Sequence, residues 1–445
     1  MRNPQALADR FLQTETELNG FSIEGLPLGV CASYFFDRTF YNDFDHSLKF
    51  QLGTLLQTLG KSINKNRLLR TFPARVFYLK TGRDRHYCTM EQAVRSAATP
   101  DANVLIIGPM GYSDLYTGGV FFHAGPCSLL RIHAYLQKNK RKICAILKPL
   151  ELTKKQQRSF HFHLRNQLLK ALSAKRFLMK QTQPILLGAD YDRGVNACCW
   201  FAAAQALRIE SFTLQHGVIN PPVGFSPVHA DEIWVWGEMA KKQLVKAGVS
   251  EQKIRLTGTP IVETLECSTD QKTKVRTKLG LKAGRTIVLA LSRPEKEDDW
   301  KQVQLFQAIR KEFGKPHDNF VVKVHPSYPN ADYSWLLQEF DLKVLPLDLT
   351  YPEFMNLVDI LLAHNSGIAS EVLYYGKQVG ILDVLDQIPG NGMELHTWLN
   401  VPLLRTAHDF MQLDELPMNG SAIFQRTGQA ATQEIVRNIR QRLQP

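Results

Sequence analysis

From Pro184 onward the chain alternates short apolar runs with longer amphipathic stretches, the pattern of parallel strands joined by crossover helices. PILLGAD reads as a strand, VNACCWFAAAQAL as a helix, ESFTLQHG and DEIWVWG as strands, EMAKKQLVKAG as a helix and KIRLTGTP as a short strand. The polar stretch between Cys267 and Arg285 has little strand potential and reads as a linker. Behind it the alternation restarts, with TIVLALS, FVVKVHP, LKVLPL, DILLAHN and VGILDV as strands and helices in between. These repeats predict a doubly wound open sheet. Weaker candidates at ARVFYLK, NVLIIGP and KICAILK predict a second sheet of the same class in the first half. The last helix, ATQEIVRNIRQRLQ, has no strand after it and is expected to pack back across the junction. The pattern therefore predicts an α/β chain of two Rossmann-like doubly wound domains facing an interdomain cleft, over residues 1–266 and 283–420, with a terminal helix in 421–445.

Composition narrows the class. The chain has 445 residues, 44% hydrophobic and 22% charged, which suits two or three globular domains and excludes a disordered or fibrous chain. No apolar stretch approaches the ~20 residues of a membrane-spanning helix. The start, MRNPQALADRFLQTETELNG, lacks an apolar secretory core, so a cytoplasmic location is expected. Seven cysteines without a CxxC spacing point to free thiols rather than disulfides or zinc.

The net charge of +12 is concentrated: residues 138–180 hold thirteen Lys and Arg against Glu151 alone, and the remaining 402 residues hold 41 of each sign. Within that segment RSFHFHLRNQLLKALSAKRFLMK reads as a basic amphipathic helix. A solvated helix face, an anionic membrane surface and a polyanionic substrate are its alternatives, and no helix-turn-helix, zinc-finger or RNP signature favours nucleic acid.

Ligands of open α/β sheets bind at the carboxyl ends of strands, so polar residues there are the candidates for chemistry. Four clusters qualify, two on each side of the linker. HNSGIASE ends a strand and opens a helix, where Ser366, as N-cap, Gly367 and the free N–H groups of the first turn would cradle a phosphate. Glu371, one turn further in, would favour the helix dipole or hydrogen-bond a nucleotide ribose. His325 follows the apolar FVVKV and is held extended by Pro326, able to pair with a phosphate or protonate a leaving group. His216 of QHG, at a turn read as requiring Gly217, is a candidate base or substrate partner. Asp190 and Asp192, after PILLGAD, could deprotonate an acceptor hydroxyl or serve only as turn residues. GPMGYSDLYTGG lacks dinucleotide spacing and no GxxxxGK[ST] occurs, which removes P-loop and hydride-transfer enzymes.

The order QHG, DEIWVWGEMAKKQLVKAG, RLTGTP, VKVHPSYPN and HNSGIASEVLYYGKQVGIL resembles bacterial surface-polysaccharide glycosyltransferases of the GT-B fold, over residues 184–382. Capsule Kdo transferases, bacterial sialyl- and polysialyltransferases and teichoic-acid glycerophosphotransferases are the similar families. The resemblance implies a metal-independent glycosyltransferase with a nucleotide-sugar co-substrate, CMP-linked Kdo or a sialic-acid-like sugar, and no further cofactor. It implies donor contacts from His325, Pro326, Ser366 and Ser370, and acceptor contacts from His216 or an aspartate of DYDRG. The acceptor would be a surface or lipid-linked glycan, with the enzyme on the inner face of the cytoplasmic membrane. The segment VHADEIWVWGEMAKKQLVKAGVSEQKIRLTGTP is also similar to non-hydrolysing UDP-N-acetylglucosamine 2-epimerases. An epimerase, a CDP-polyol phosphotransferase and a non-catalytic GT-B scaffold are the alternatives.

Overall fold

The computed structural model describes residues 4–40, 74–81, 85–100, 102–108, 115–116, 126–181, 185–219, 224–263, 265, 267–291, 296–325, 332–364, 366–384, 393–415, 420 and 423–444. Helix α1 (Pro4–Leu18) leads through a hairpin, β1 (Ser22–Ile23) and β2 (Leu26–Pro27), into α2 (Leu28–Phe40). The first large sheet comprises β3 (Ala74–Leu79), β4 (Asn103–Gly108), β5 (Leu115–Tyr116), β6 (Leu186–Ala189), β7 (Ser211–Leu214), β8 (Glu232–Val235) and β9 (Ile254–Leu256). Its strands are parallel throughout, in the order β5-β4-β3-β6-β7-β8-β9. The helices around it include α3 (Arg85–Arg95), α4 (Pro126–Lys138), α5 (Lys140–Leu147), α6 (Lys154–Leu178), α7 (Ala197–Leu207) and α8 (Glu238–Lys246).

The second sheet has β10 (Thr286–Ala290), β11 (Asn319–Lys323), β12 (Lys343–Val344), β13 (Ile360–Ala363), β14 (Gln378–Leu382) and β15 (Leu403–Leu404). All its pairs are parallel and the order is β12-β11-β10-β13-β14-β15. Helices α9 (Thr269–Leu279), α10 (Lys296–Phe313), α11 (Ser334–Phe340), α12 (Tyr351–Leu357), α13 (Ile368–Tyr374), α14 (Met393–Leu399) and α15 (Gln412–Glu415) accompany it, and α16 (Gly428–Leu443) closes the chain. Two doubly wound parallel sheets in one chain are the pair of Rossmann-like domains that the sequence pattern predicted, and they match the GT-B architecture that the resemblance implied.

The strands read as uninterrupted apolar runs because both faces of each sheet are covered. Every residue of β6, β7, β10 and β13 is buried. One apolar cluster runs from Val76 and Leu214 in the first sheet through Ile435 and Ile439 of α16 to Val288 and Leu361 in the second, so the two domains share a core at their junction. Helix α16 is fastened to the first domain by Arg442, 2.6 Å from Glu210, and by Arg440, which donates to the Ala97 carbonyl at 3.5 Å.

Two expectations need correction, and one is borne out. KICAILK is helix α5, not a strand: Ile143 and Leu147, one turn apart, are buried while Cys144 and Ala145 between them are exposed. The polar stretch after Cys267 is largely helix α9, started by Ser268, whose Oγ accepts from the Gln271 N–H at 3.2 Å, and stopped by Gly280 at φ 62°. Its Arg276 lies 3.2 Å from Asp359 at the foot of β13, so this segment is part of the second domain's packing rather than a bare linker. The basic helix α6 is amphipathic as read, with its apolar side turned into the fold. Phe160, Leu164, Leu168, Leu169 and Leu172 are buried in the first domain's core, and the buried Lys170 donates to Asn196 at 3.2 Å. Each such apolar side chain contributes about 2 kcal/mol by leaving water, which fixes α6 inside the fold.

Candidate functional site

In both sheets the strand order reverses direction once, between β3 and β6 in the first and between β10 and β13 in the second. A crevice opens at such points because successive crossovers leave on opposite faces. In the first, Thr81, just beyond β3, donates its N–H at 3.0 Å and its hydroxyl at 2.5 Å to the Asp190 carboxylate just beyond β6. The next strand end carries His216, whose ring N–H donates to the backbone carbonyl of Asp190. Its ring lies against Tyr191 at 4.7 Å, Phe225 at 4.9 Å and Tyr87 at 6.4 Å between centroids. Burial in this aromatic setting pushes its pKa down to about 4, so it is neutral at pH 7 with one lone-pair nitrogen. Gln215 secures the turn. Its Oε1 accepts from the Trp236 N–H at 2.9 Å, its amide donates to Gly217 at 2.9 Å, and its carbonyl accepts from the Trp236 indole at 2.9 Å. The glycine at 217 is not forced by conformation, since its φ is ordinary and an added Cβ would meet nothing within 4 Å.

Asp192 sits elsewhere. Its carboxylate is buried, accepts the backbone N–H groups of His229 at 2.7 Å and Ala230 at 3.2 Å, and is raised to about 6 by burial against the pull of Arg193. That makes it a brace for the loop before β8 rather than an acceptor-facing group. Arg193 beside it is buried between Glu15 of α1 at 2.8 Å and Asp37 of α2 at 2.5 Å, and Asp37 also accepts from the Tyr191 hydroxyl at 3.0 Å. DYDRG therefore ties the first two helices to the loop that carries Tyr191 against His216.

In the second sheet β11 and β13 flank β10, so His325 and the residues after β13 are about 10 Å apart at two strand spacings. His325 is partly exposed two residues past β11, and Pro326 lies outside the described residues. Beyond β13, His364 is buried and donates through Nδ1 to the Leu382 carbonyl at 2.9 Å. Its Nε2 is buried with no hydrogen-bond partner among the described residues. Ser366 is not the N-cap: Gly367 occupies that position, at φ −58°, and no side chain caps α13. An added Cβ at Gly367 would meet nothing within 4 Å, so this turn borders open space. Ser370 and Glu371 are buried in α13, and neither Ser370 Oγ nor Glu371 Oε2 has a hydrogen-bond partner among the described residues. Buried polar atoms left in this state cost free energy and mark a place for a ligand's polar groups.

The start of α3 brings the two halves together. His86 Nε2 stands 3.5 Å from Glu371 Oε1, and Arg85 stands 3.7 Å from the same carboxylate. Arg85 also lies 3.5 Å over the Tyr351 ring of α12 and donates to the Ile261 carbonyl at 2.7 Å. The adjacent Tyr87 faces His216. Lys323, the last residue of β11, is held below the usual lysine range by burial, with Glu371 pulling the other way. Arg85, His86, Lys323 and Tyr351 were not among the sequence candidates. The one available signal was Lys323, a charge inside the apolar run FVVKV.

No family model matches this chain, and no curated protein does. Solved structures similar in overall arrangement include the UDP-N-acetylglucosamine 2-epimerase from Rickettsia bellii, with TM-score 0.48, 13% identity and 83% of this chain and 96% of that one covered. Another is the Methanocaldococcus jannaschii UDP-GlcNAc 2-epimerase in complex with UDP-GlcNAc and UDP, with TM-score 0.48, 15% identity and coverages of 82% and 99%. A third is the wall teichoic acid polymerase TagF, with TM-score 0.48, 10% identity and coverages of 89% and 100%. At these levels of similarity no chemistry transfers from them to this chain.

Proposed function

We propose that this protein transfers a sugar from a nucleotide-activated donor, CMP-linked Kdo or a sialic-acid-like sugar, onto a surface polysaccharide or lipid-linked glycan. The observation that carries this reading is the junction itself: a neutral histidine, His216, on one domain and a buried, under-bonded set, His364, Ser370 and Glu371, on the other, linked by the start of α3. In this reading His216 takes the proton of the acceptor hydroxyl through its lone-pair nitrogen, and Asp190 with the surrounding rings holds it in place. Ser366, Gly367 and Ser370 face the donor's phosphate, with His325 offsetting the charge on the departing nucleotide. Glu371 exchanges its partners on α3 for a ribose hydroxyl. The first domain spans 1–266 and the second 283–420 together with α9, which packs on it, with 421–445 as the crossing helix. The enzyme works at the inner face of the cytoplasmic membrane, where a lipid-linked acceptor would be met. Among the described residues no helix is long and apolar enough to cross a membrane, so contact with it would be peripheral.

Calorimetric titration with CMP, CDP and UDP tests the donor side. The reading expects CMP to bind more tightly than the other two, and Ser370→Ala and Glu371→Gln each to weaken it about tenfold, the scale of one lost buried hydrogen bond. Tighter binding of UDP together with conversion of UDP-N-acetylglucosamine to its 2-epimer would replace the transferase reading with the epimerase one.

A further inference from the structure

We propose that the exposed face formed by the start of α5 and the start of α6 docks on an anionic lipid bilayer. Residues 138–158 hold eight cations and one acid, Glu151, and all nine side chains are exposed. None of the eight cations forms an ion pair among the described residues. This stretch therefore carries a solvent-facing charge of +7, most of the excess of the whole chain. The fold holds it outward: Ile143, Leu147, Leu150 and Leu152 are buried beneath it, and Arg10 of α1 donates to the Pro149 carbonyl at 3.3 Å.

Stability does not explain the arrangement. Lys140, Arg141 and Lys142 open α5, and Lys154, Lys155 and Arg158 open α6, with no acid in either first turn. Cations at a helix N-terminus oppose its dipole. Other helices of the chain do carry an acid in the first turn, among them α8 with Glu238, α9 with Asp270 and α12 with Glu353. An external anionic surface offsets both the dipole mismatch and the mutual repulsion of the cations. The stretch contains no aromatic residue on which a sugar ring or a base could stack, and its exposed uncharged positions include the small groups Cys144, Ala145 and Pro149. A layer of lipid phosphates needs only charge at a surface, which this face supplies.

The inference deepens the membrane-side reading of the acceptor, yet nucleotide binding does not depend on it. The test is co-sedimentation of the full chain with phosphatidylcholine vesicles, with and without phosphatidylglycerol. Binding is expected only to the anionic vesicles and is weakened by salt. Reversing Lys140, Arg141 and Lys142 to Glu is expected to weaken it about a hundredfold, and Lys154→Glu with Lys155→Glu, on the other helix, at least tenfold. Both variants are expected to bind CMP as the parent does, which separates a failed docking face from a failed donor site or fold. Equal binding to neutral and anionic vesicles, unchanged binding by both variants, or retention on a soluble polyanion such as heparin without any on vesicles would overturn it.

Discussion

His86 Nε2 lies 3.5 Å from Glu371 Oε1, and the two side chains belong to helices of different domains. The contact joins the carboxyl-end loops of one parallel sheet to those of the other. It places Tyr87, the next residue, against His216. The domain junction, the neutral histidine and the under-bonded carboxylate are consequently one structure.

Arg85 fastens that junction through Tyr351 and Glu371. Replacing it with Ala removes a stack on Tyr351 at 3.5 Å and a hydrogen bond to Ile261 at 2.7 Å. A loss of about 2 kcal/mol in stability is expected, because its side chain is one-third exposed and its ion pairs are screened. Small-angle scattering should show a larger radius of gyration for the variant. An unchanged radius and unchanged urea midpoint would mean that the shared apolar core alone holds the domains.

Saturating CMP is expected to draw the domains together, because closure excludes water that would hydrolyse the activated sugar. The same scattering measurement checks this. A radius of gyration that does not shrink with CMP would describe a rigid cleft.

How much of this was legible beforehand follows from burial. Strands such as β10 and β13, covered on both faces, announce themselves as continuous apolar runs; the end of β13 pointed to Ser366 and Glu371, and the end of β11 to His325. Helix α5 was misread because five consecutive apolar residues look like a strand when only Ile143 and Leu147 among its residues reach the core. Arg85 and His86 were invisible: they lie in a stretch without motif, and only the packing of α3 between the sheets brings them to Glu371. Asp192 carried a misleading signal, since a turn aspartate serving two backbone N–H groups has the same sequence signature as a catalytic one.

Acid should destabilise the first domain. Burial holds His163 at about 3, His216 at about 4 and His229 well below the ordinary imidazole value of 6.5. As pH falls through about 6.5 the unfolded chain binds these three protons and the folded chain does not, which destabilises; Asp192, raised to about 6, and Glu15, raised to about 8, oppose this by up to two protons, so the net fall toward about pH 4 is that of the outnumbering histidines. Each histidine contributes a slope of up to about 1.4 kcal/mol per pH unit. Urea midpoints between about pH 7.5 and 5 should show this fall, and His163→Phe should flatten it by one proton. A midpoint independent of pH across that range would contradict the assignment.

Gly188 in β6 tests the strand packing. A Cβ there would lie 2.4 Å from the Phe212 ring, which is stacked on Trp234 at 4.1 Å and cannot retreat. Gly188→Ala is expected to cost about 2 kcal/mol in urea unfolding. A neutral result would show that the Phe212–Trp234 stack is free to shift.

The central claim is transfer, and mass spectrometry of the acceptor glycan reads it directly. With a CMP-linked sugar and a lipid-linked acceptor, the account predicts a product heavier by one sugar residue. It predicts at least a ~100-fold slower reaction for His216→Ala and for His325→Ala, with CMP binding retained in His216→Ala. Donor consumed with no gain in acceptor mass, or transfer unaffected by either substitution, would contradict it.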